Sequence, residues 1–179
     1  MTGYYSINAI LTDSQKLPCT FDLTVPHLGY LEGNPGAPIK SGTKLELPLW
    51  LAEMLAVSNN GSGSTVLTLD MPPALSGRVL NALKADPKTL DLRSLAPHFY
   101  GLGSRMLELF EEDEVGEVLG ETFKKRAKEI ADHAHNPRGA LGEGAEFLRG
   151  LDEEERQLFR AAHESAKAVR TWMAELKTT

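Results

Sequence analysis

The texture of the chain changes at Pro72-Pro73, and that change limits the fold more than any single motif does. Ahead of the pair, glycine and proline are frequent, and apolar residues alternate or come in short runs. Behind it, apolar residues recur at helical spacing over long, ion-rich stretches. Residues 1–72 hold 3 Lys+Arg and 6 Asp+Glu, and residues 73–179 hold 16 and 19; that density suits helices with wet outer faces. A chain of 179 residues makes one domain or two small ones and can bury a real core. The expectation is an α+β protein, with a small β-rich domain over 1–72 and a larger all-α domain over 73–179.

In the first part, a short helix is predicted near Ser6 to Leu11, with Ser6 as its N-cap. A strand follows over Thr20 to Val25, with Phe21, Leu23 and Val25 on one face and Cys19, a small core residue, at its start. Asn34-Pro35-Gly36 is strong turn chemistry. Lys44 to Leu47 alternates as a second strand, and Pro48 suits the first position of a helix, where its missing N–H costs nothing. In that helix Leu49, Trp50, Leu51, Ala52, Met54, Leu55, Ala56 and Val57 cover nearly the whole circumference. A helix apolar all round belongs in a large core. So small a module cannot supply one, which leaves the helical half or another chain to cover it. Asn59 and Asn60 end the helix, Gly61 to Ser64 is a flexible connection, and Val66 to Met71 alternates as a further strand.

The second part reads as helices over Pro73–Ala85, Ser94–Phe110 with a restart at Pro97, Val115–Ala134 and Leu151–Leu176. The last carries Leu158, Phe159, Ala162, Ala166, Val169, Trp172, Met173 and Leu176 as a broad apolar face. Asp152 to Glu155 puts four carboxylates at its start, where the helix dipole favours them. The run Lys124-Lys125-Arg126-Ala127-Lys128 is the best candidate for a basic patch, and a solvated helix face is the expected reading. With a net charge of −6, the chain has no global footprint for gripping nucleic acid. Its one cysteine cannot form an internal disulfide. No segment resembles a signal peptide or a membrane span, so a soluble intracellular protein is expected.

Catalytic chemistry is hard to find. Gly101-Leu102-Gly103-Ser104 follows a helical segment and lacks the third glycine of a dinucleotide fingerprint. His98 and Asp91 with Ser94 or Ser104 lack any nucleophile-elbow context. His133 and His135 stand two apart and point about 200° from each other on a helix. A small metal-dependent hydrolase using those two histidines is the alternative reading, and a helical adaptor in an unrelated assembly is another. Two segments resist a bland assignment: the apolar helix after Pro48, and Asp91 to Ser104, which packs Phe99, Tyr100, Pro97 and two glycines where a helix should run smoothly. The latter reads either as a hinge with its own core or as an interface, since large aromatics anchor interfaces and glycines let another backbone approach.

At these two segments the chain resembles a known family. Gly42-Thr43-Lys44-Leu45-Glu46-Leu47-Pro48-Leu49-Trp50-Leu51-Ala52 and Leu92 through Met106, with Pro97-His98-Phe99-Tyr100-Gly101-Leu102-Gly103-Ser104, are similar to the third Psf subunits of the eukaryotic GINS complex. Tyr5 to Leu11, Leu17-Pro18 and Ala85-Asp86-Pro87 fit the same pattern, colinear over nearly the whole chain. Asn8-Ala9 departs from it, standing where family members often carry acidic residues. The resemblance implies a β-rich domain followed by a helical one, in a non-enzymatic subunit of a heterotetramer with the other three GINS subunits. It implies action in the nucleus, in initiation and at replication forks, within the CMG helicase. The partners implied are the minichromosome maintenance helicase ring and its second accessory factor, with no small-molecule substrate, cofactor, metal or membrane, and weak or absent direct contact with DNA. Leu49, Trp50, Pro97, Phe99, Tyr100 and Trp172 are the residues expected at subunit interfaces or in the core just beneath them.

Overall fold

A computed structural model describes residues 5–58, 65–110, 112–136 and 144–178. The chain divides into two compact units, Met1–Pro73 and Ala74–Thr179.

The first unit is built on a three-stranded antiparallel sheet in the order β2-β1-β3, with β1 at Lys16–Phe21, β2 at Lys44–Pro48 and β3 at Leu67–Leu69. Leu17, Cys19 and Phe21 of β1 point into the core and are fully buried or nearly so. The strand therefore begins four residues before the expected Thr20, and Val25 forms only an isolated bridge with Ile39. Pro18 is the reason the start is hard to read, because a proline inside a central strand loses a ladder donor. Here its imide nitrogen faces the end of the three-residue β3, and its carbonyl still accepts the Asp70 N–H at 2.9 Å. The loop between β1 and β2 folds back on itself through Gly29 N–H to Ala37 O at 2.8 Å. A Cβ at Gly29 would meet the Asn34 and Ala37 carbonyls, so the close approach requires glycine.

Helix α1 spans Ile7–Asp13; Ser6 occupies its N-cap position without making a side-chain cap bond. Helix α2 spans Leu49–Val57 and packs on all three strands. Pro48 is the last residue of β2 and precedes the helix, one position earlier than expected, with ψ of 140°. The Leu49 N–H continues the ladder to Gln15 O at 2.9 Å, so strand and helix meet at a corner.

The second unit is helical, with α3 at Gly77–Ala85, α4 at Leu92–Leu95, α5 at Phe99–Leu109, α6 at Asp113–His135, α7 at Gly144–Arg149 and α8 at Glu153–Thr178. The expected helix from Pro73 is a single 3-10 turn over Pro73–Leu75 followed by α3. The expected restart at Pro97 falls between α4 and α5. Helix α6 is the centre of the bundle, with α3, α5 and α8 packed on it. Its inward stripe includes Val115, Val118, Leu119, Thr122, Ile130 and Ala134. A methyl at buried Gly103 would collide with Leu119, so this glycine brings α5 close to a side chain of α6, where the sequence suggested room for a backbone. Among the described residues no helix is long and apolar enough to cross a membrane.

Candidate subunit interfaces

The exposed surface has its character because the polar residues of the bundle are engaged inside it. Lys124, Lys125 and Lys128 are exposed, as expected of a solvated face, but Arg126 is fully buried, which corrects that expectation for this one residue. Its Nε donates to Glu155 Oε1 at 2.7 Å and its Nη2 to Glu155 Oε2 at 2.9 Å. Its Nη1 donates to the Pro87 and Leu90 carbonyls at 2.7 and 3.0 Å, and the guanidinium lies 4.8 Å from the centre of the Phe147 ring. One cation thereby ties α6 to α7, α8 and the loop after α3. Burying it is tolerable only because its donors meet a carboxylate and carbonyls.

The carboxylates at the start of α8 divide into two kinds. Asp152 and Glu155 form a reciprocal capping box: Glu155 N–H donates to Asp152 Oδ1 at 2.9 Å, and Asp152 N–H to Glu155 Oε2 at 3.3 Å. The second Asp152 oxygen accepts the Tyr100 N–H at 3.2 Å, so one side chain caps α8 and the first turn of α5 together. Tyr100 Oη donates to Glu155 Oε1 at 3.0 Å. Burial, helped by the neighbouring Glu155 carboxylate, raises the Asp152 pKa to about 6. Burial and the same carboxylate push the Tyr100 phenol well above its ordinary value. Glu153 instead pairs with Arg160 at 2.8 Å near the surface.

The six residues singled out from the sequence fall into two groups. Leu49 and Phe99 are completely buried, and Tyr100 is buried. Tyr100 meets Phe99 and Phe123 edge-on, with centroids 5.7 and 5.3 Å apart. These three serve the core. Trp50, Pro97 and Trp172 lie at the surface, Trp50 being 50% and Trp172 60% exposed. Trp50 belongs to an outward stripe of α2 with Met54 and Val57, while Leu49 and Ala52 point inward. Trp172 belongs to a stripe on the distal half of α8 with Val169, Met173 and Leu176, all more than half exposed. On α1, Ile7, Ile10 and Leu11 are exposed as well. So many large apolar side chains at helical spacing exceed the scattered exposure that soluble surfaces carry.

The motifs considered for catalysis have other duties. Asp91 Oδ1 accepts the Ser94 N–H at 2.9 Å and caps α4, and Ser94 Oγ donates to Asp91 O. His133 faces Glu129 at 3.4 Å, while His135 Nδ1 contacts the Ala131 carbonyl, so the two histidines do not converge. Among the described residues no group of three His, Cys, Asp or Glu side chains could hold a metal ion. Residues 59–64 and 137–143, which include the Gly/Ser connection and most of the Asn136–Gly139 break, lie outside the described residues.

A small sheet module, a bundle locked by a buried ionic network, and apolar helix faces turned outward define a scaffold that works by binding. Residues 5–57 match the model of the PSF3 N-terminal domain, and residues 74–174 match that of the GINS complex protein helical bundle domain. The chain is 70% identical to the DNA replication complex GINS protein PSF3 of Phaeosphaeria nodorum, covering 99% of each chain. It is 67% identical to the psf3 protein of Aspergillus fumigatus over 98% of each. It is 36% identical to that of Schizosaccharomyces pombe, over 94% of this chain and 96% of the other. The chain belongs to the PSF3 family of GINS subunits, a non-catalytic family with a structural role in DNA replication, and its partners are other GINS subunits.

Proposed function

We propose that this chain is one of four subunits of a GINS heterotetramer in the nucleus, and that it helps join the minichromosome maintenance ring to its second accessory factor within the CMG helicase. In this reading residues 1–72 and 73–179 act as separate domains; the β-rich module contacts the helicase, while the outward apolar helix faces, that of α2 included, pack on sister subunits. Trp50, Pro97 and Trp172 sit at interfaces, and Leu49, Phe99 and Tyr100 hold the backbone beneath them. The observation that carries the reading is the outward stripe of Val169, Trp172, Met173 and Leu176 on α8. A surface-exposed seam of this kind is costly in water and gains about 25 cal/mol per Å² once covered. Direct contact with DNA is weak or absent in this reading, because the chain is acidic and Arg126, the centre of its basic run, is turned inward.

Native mass spectrometry of the chain co-expressed with the other three subunits tests the proposal. One copy of each subunit is the expected composition, and Trp172→Asp should release this chain from it while leaving its helical content intact. A well-folded chain that stays monomeric beside its sisters, or a complex indifferent to Trp172→Asp, would overturn the proposal.

A further inference from the structure

A second surface of the bundle differs from the apolar stripe on α8. Between the end of α5 and the start of α6 lies a groove of about 670 Å³, with Leu107, Phe110 and Gly116 as its floor and Glu112, Asp113 and Glu117 around it. Leu107 is 38% exposed there. Among the described residues, none of the three carboxylates is paired with a cation, although the neighbouring Glu114 and Glu108 are, with Lys84 and Arg105. The helix dipole accounts for Asp113 in the first turn of α6 but not for Glu117, a full turn further in. Nor does the fold explain Gly116. A Cβ there would make ordinary contact with Leu107 at 3.5 Å, and its φ is not positive. A glycine inside a helix is less favourable than alanine, and here it leaves the groove open.

We propose that this groove receives a short basic segment of an exchangeable protein partner, with one large apolar residue seated on Leu107 and Phe110 and lysines or arginines flanking it toward Glu112, Asp113 and Glu117. Permanent subunit interfaces are large and depleted of charge at their centres. Three apolar residues ringed by unpaired carboxylates suit a small contact that is steered electrostatically. The same ring repels nucleic acid.

Titration of the assembled GINS complex with a fluorescent peptide carrying a Leu-Trp pair between lysines tests this. Binding should weaken about tenfold, near 1.4 kcal/mol, when the lysines become glutamates or the Leu-Trp pair becomes alanines. Glu117→Lys and Gly116→Leu should each weaken it similarly, while Gly120→Leu, on the same helix outside the groove, should not. Thermal melts establish that the variants remain folded. Added salt should weaken binding further. Undetectable binding, equal binding of the acidic peptide, or indifference to both groove variants would each refute the proposal. Binding by the free chain that vanishes on assembly would also refute it, because a sister subunit would then own the groove. If no complex assembles, the proposed heterotetramer fails, and titration of the free chain still decides the groove.

Discussion

Replacing Arg126 with methionine should destabilise the helical unit far more than a surface arginine would. The substitution removes both bonds to Glu155 and the donors to the Pro87 and Leu90 carbonyls. Among the described residues, it leaves the fully buried Glu155 carboxylate with Tyr100 Oη and the Asp152 N–H as donors. Breaking a buried pair from one side costs about 3–5 kcal/mol, and each orphaned carbonyl adds roughly 1 kcal/mol where water cannot reach it. Against a typical total of about 5–15 kcal/mol, the expected loss of about 5–7 kcal/mol is a large fraction of the stability. Glu155→Met should cost a similar amount. The double variant should cost only about 2–3 kcal/mol, because an apolar pair leaves no stranded charge although the carbonyls stay unpaired. Urea unfolding of the full chain, followed by far-ultraviolet circular dichroism, reports mainly on the helical unit. A single-variant loss below about 1 kcal/mol, or a double-variant loss equal to the sum of the two singles, would refute the reasoning, since coupled neighbours must depart from additivity.

Three further outcomes follow. Burial raises the Cys19 thiol pKa to about 11, so an aromatic disulfide reagent at mild alkaline pH should label Cys19 only at the rate of unfolding. Asp152, with a folded pKa of about 6 against about 4 unfolded, holds its proton more tightly when folded, so its contribution to stability grows as the pH falls from about 6 to about 4. Carboxyl nuclear magnetic resonance should show that midpoint, and Asp152→Asn, which keeps an acceptor for the Glu155 N–H but loses the one for the Tyr100 N–H, should lower stability overall and flatten its slope across the same window. Gly103→Ala should destabilise the bundle by about 1 kcal/mol net, because the strain of displacing the buried Leu119, which occupies the space the methyl needs, outweighs the roughly 1 kcal/mol that alanine gains inside a helix; an unchanged melting temperature would contradict this.

Helix periodicity made most of the bundle legible, because α6 and α8 are long enough for the apolar stripe to outweigh local composition. Helix α7 is too short, at six residues, to show a period in the sequence. Strand β1 starts earlier than its sequence suggests, because the alternation of Phe21, Leu23 and Val25 continues past its end while Pro18 disguises its start. The carboxylates at the start of α8 cap the helix, as their position predicts, but nothing in the sequence of Asp152 to Glu155 says which of them face inward. That depends on α5 bringing the Tyr100 N–H to Asp152 and on α6 bringing Arg126 to Glu155. Arg126 sits among lysines in sequence, and only its position in the helical stripe, four residues before Ile130, hints at burial. Of the site residues, Trp50 and Trp172 lie on outward stripes, whereas Phe99 and Tyr100 are drawn into the core by the edge-on aromatic contacts with Phe123 and each other.

Oxidative footprinting of Trp50 and Trp172, in the free chain and in the co-purified complex, tests most directly whether the outward apolar stripes are subunit surfaces. Both indoles are at least half exposed in the chain by itself and should oxidise readily there. In the complex Trp172 should be protected about tenfold or more, as a residue covered at the centre of an interface is, and Trp50 should be protected with it. Equal oxidation of Trp172 in both states would contradict the assignment of the α8 stripe to a sister subunit.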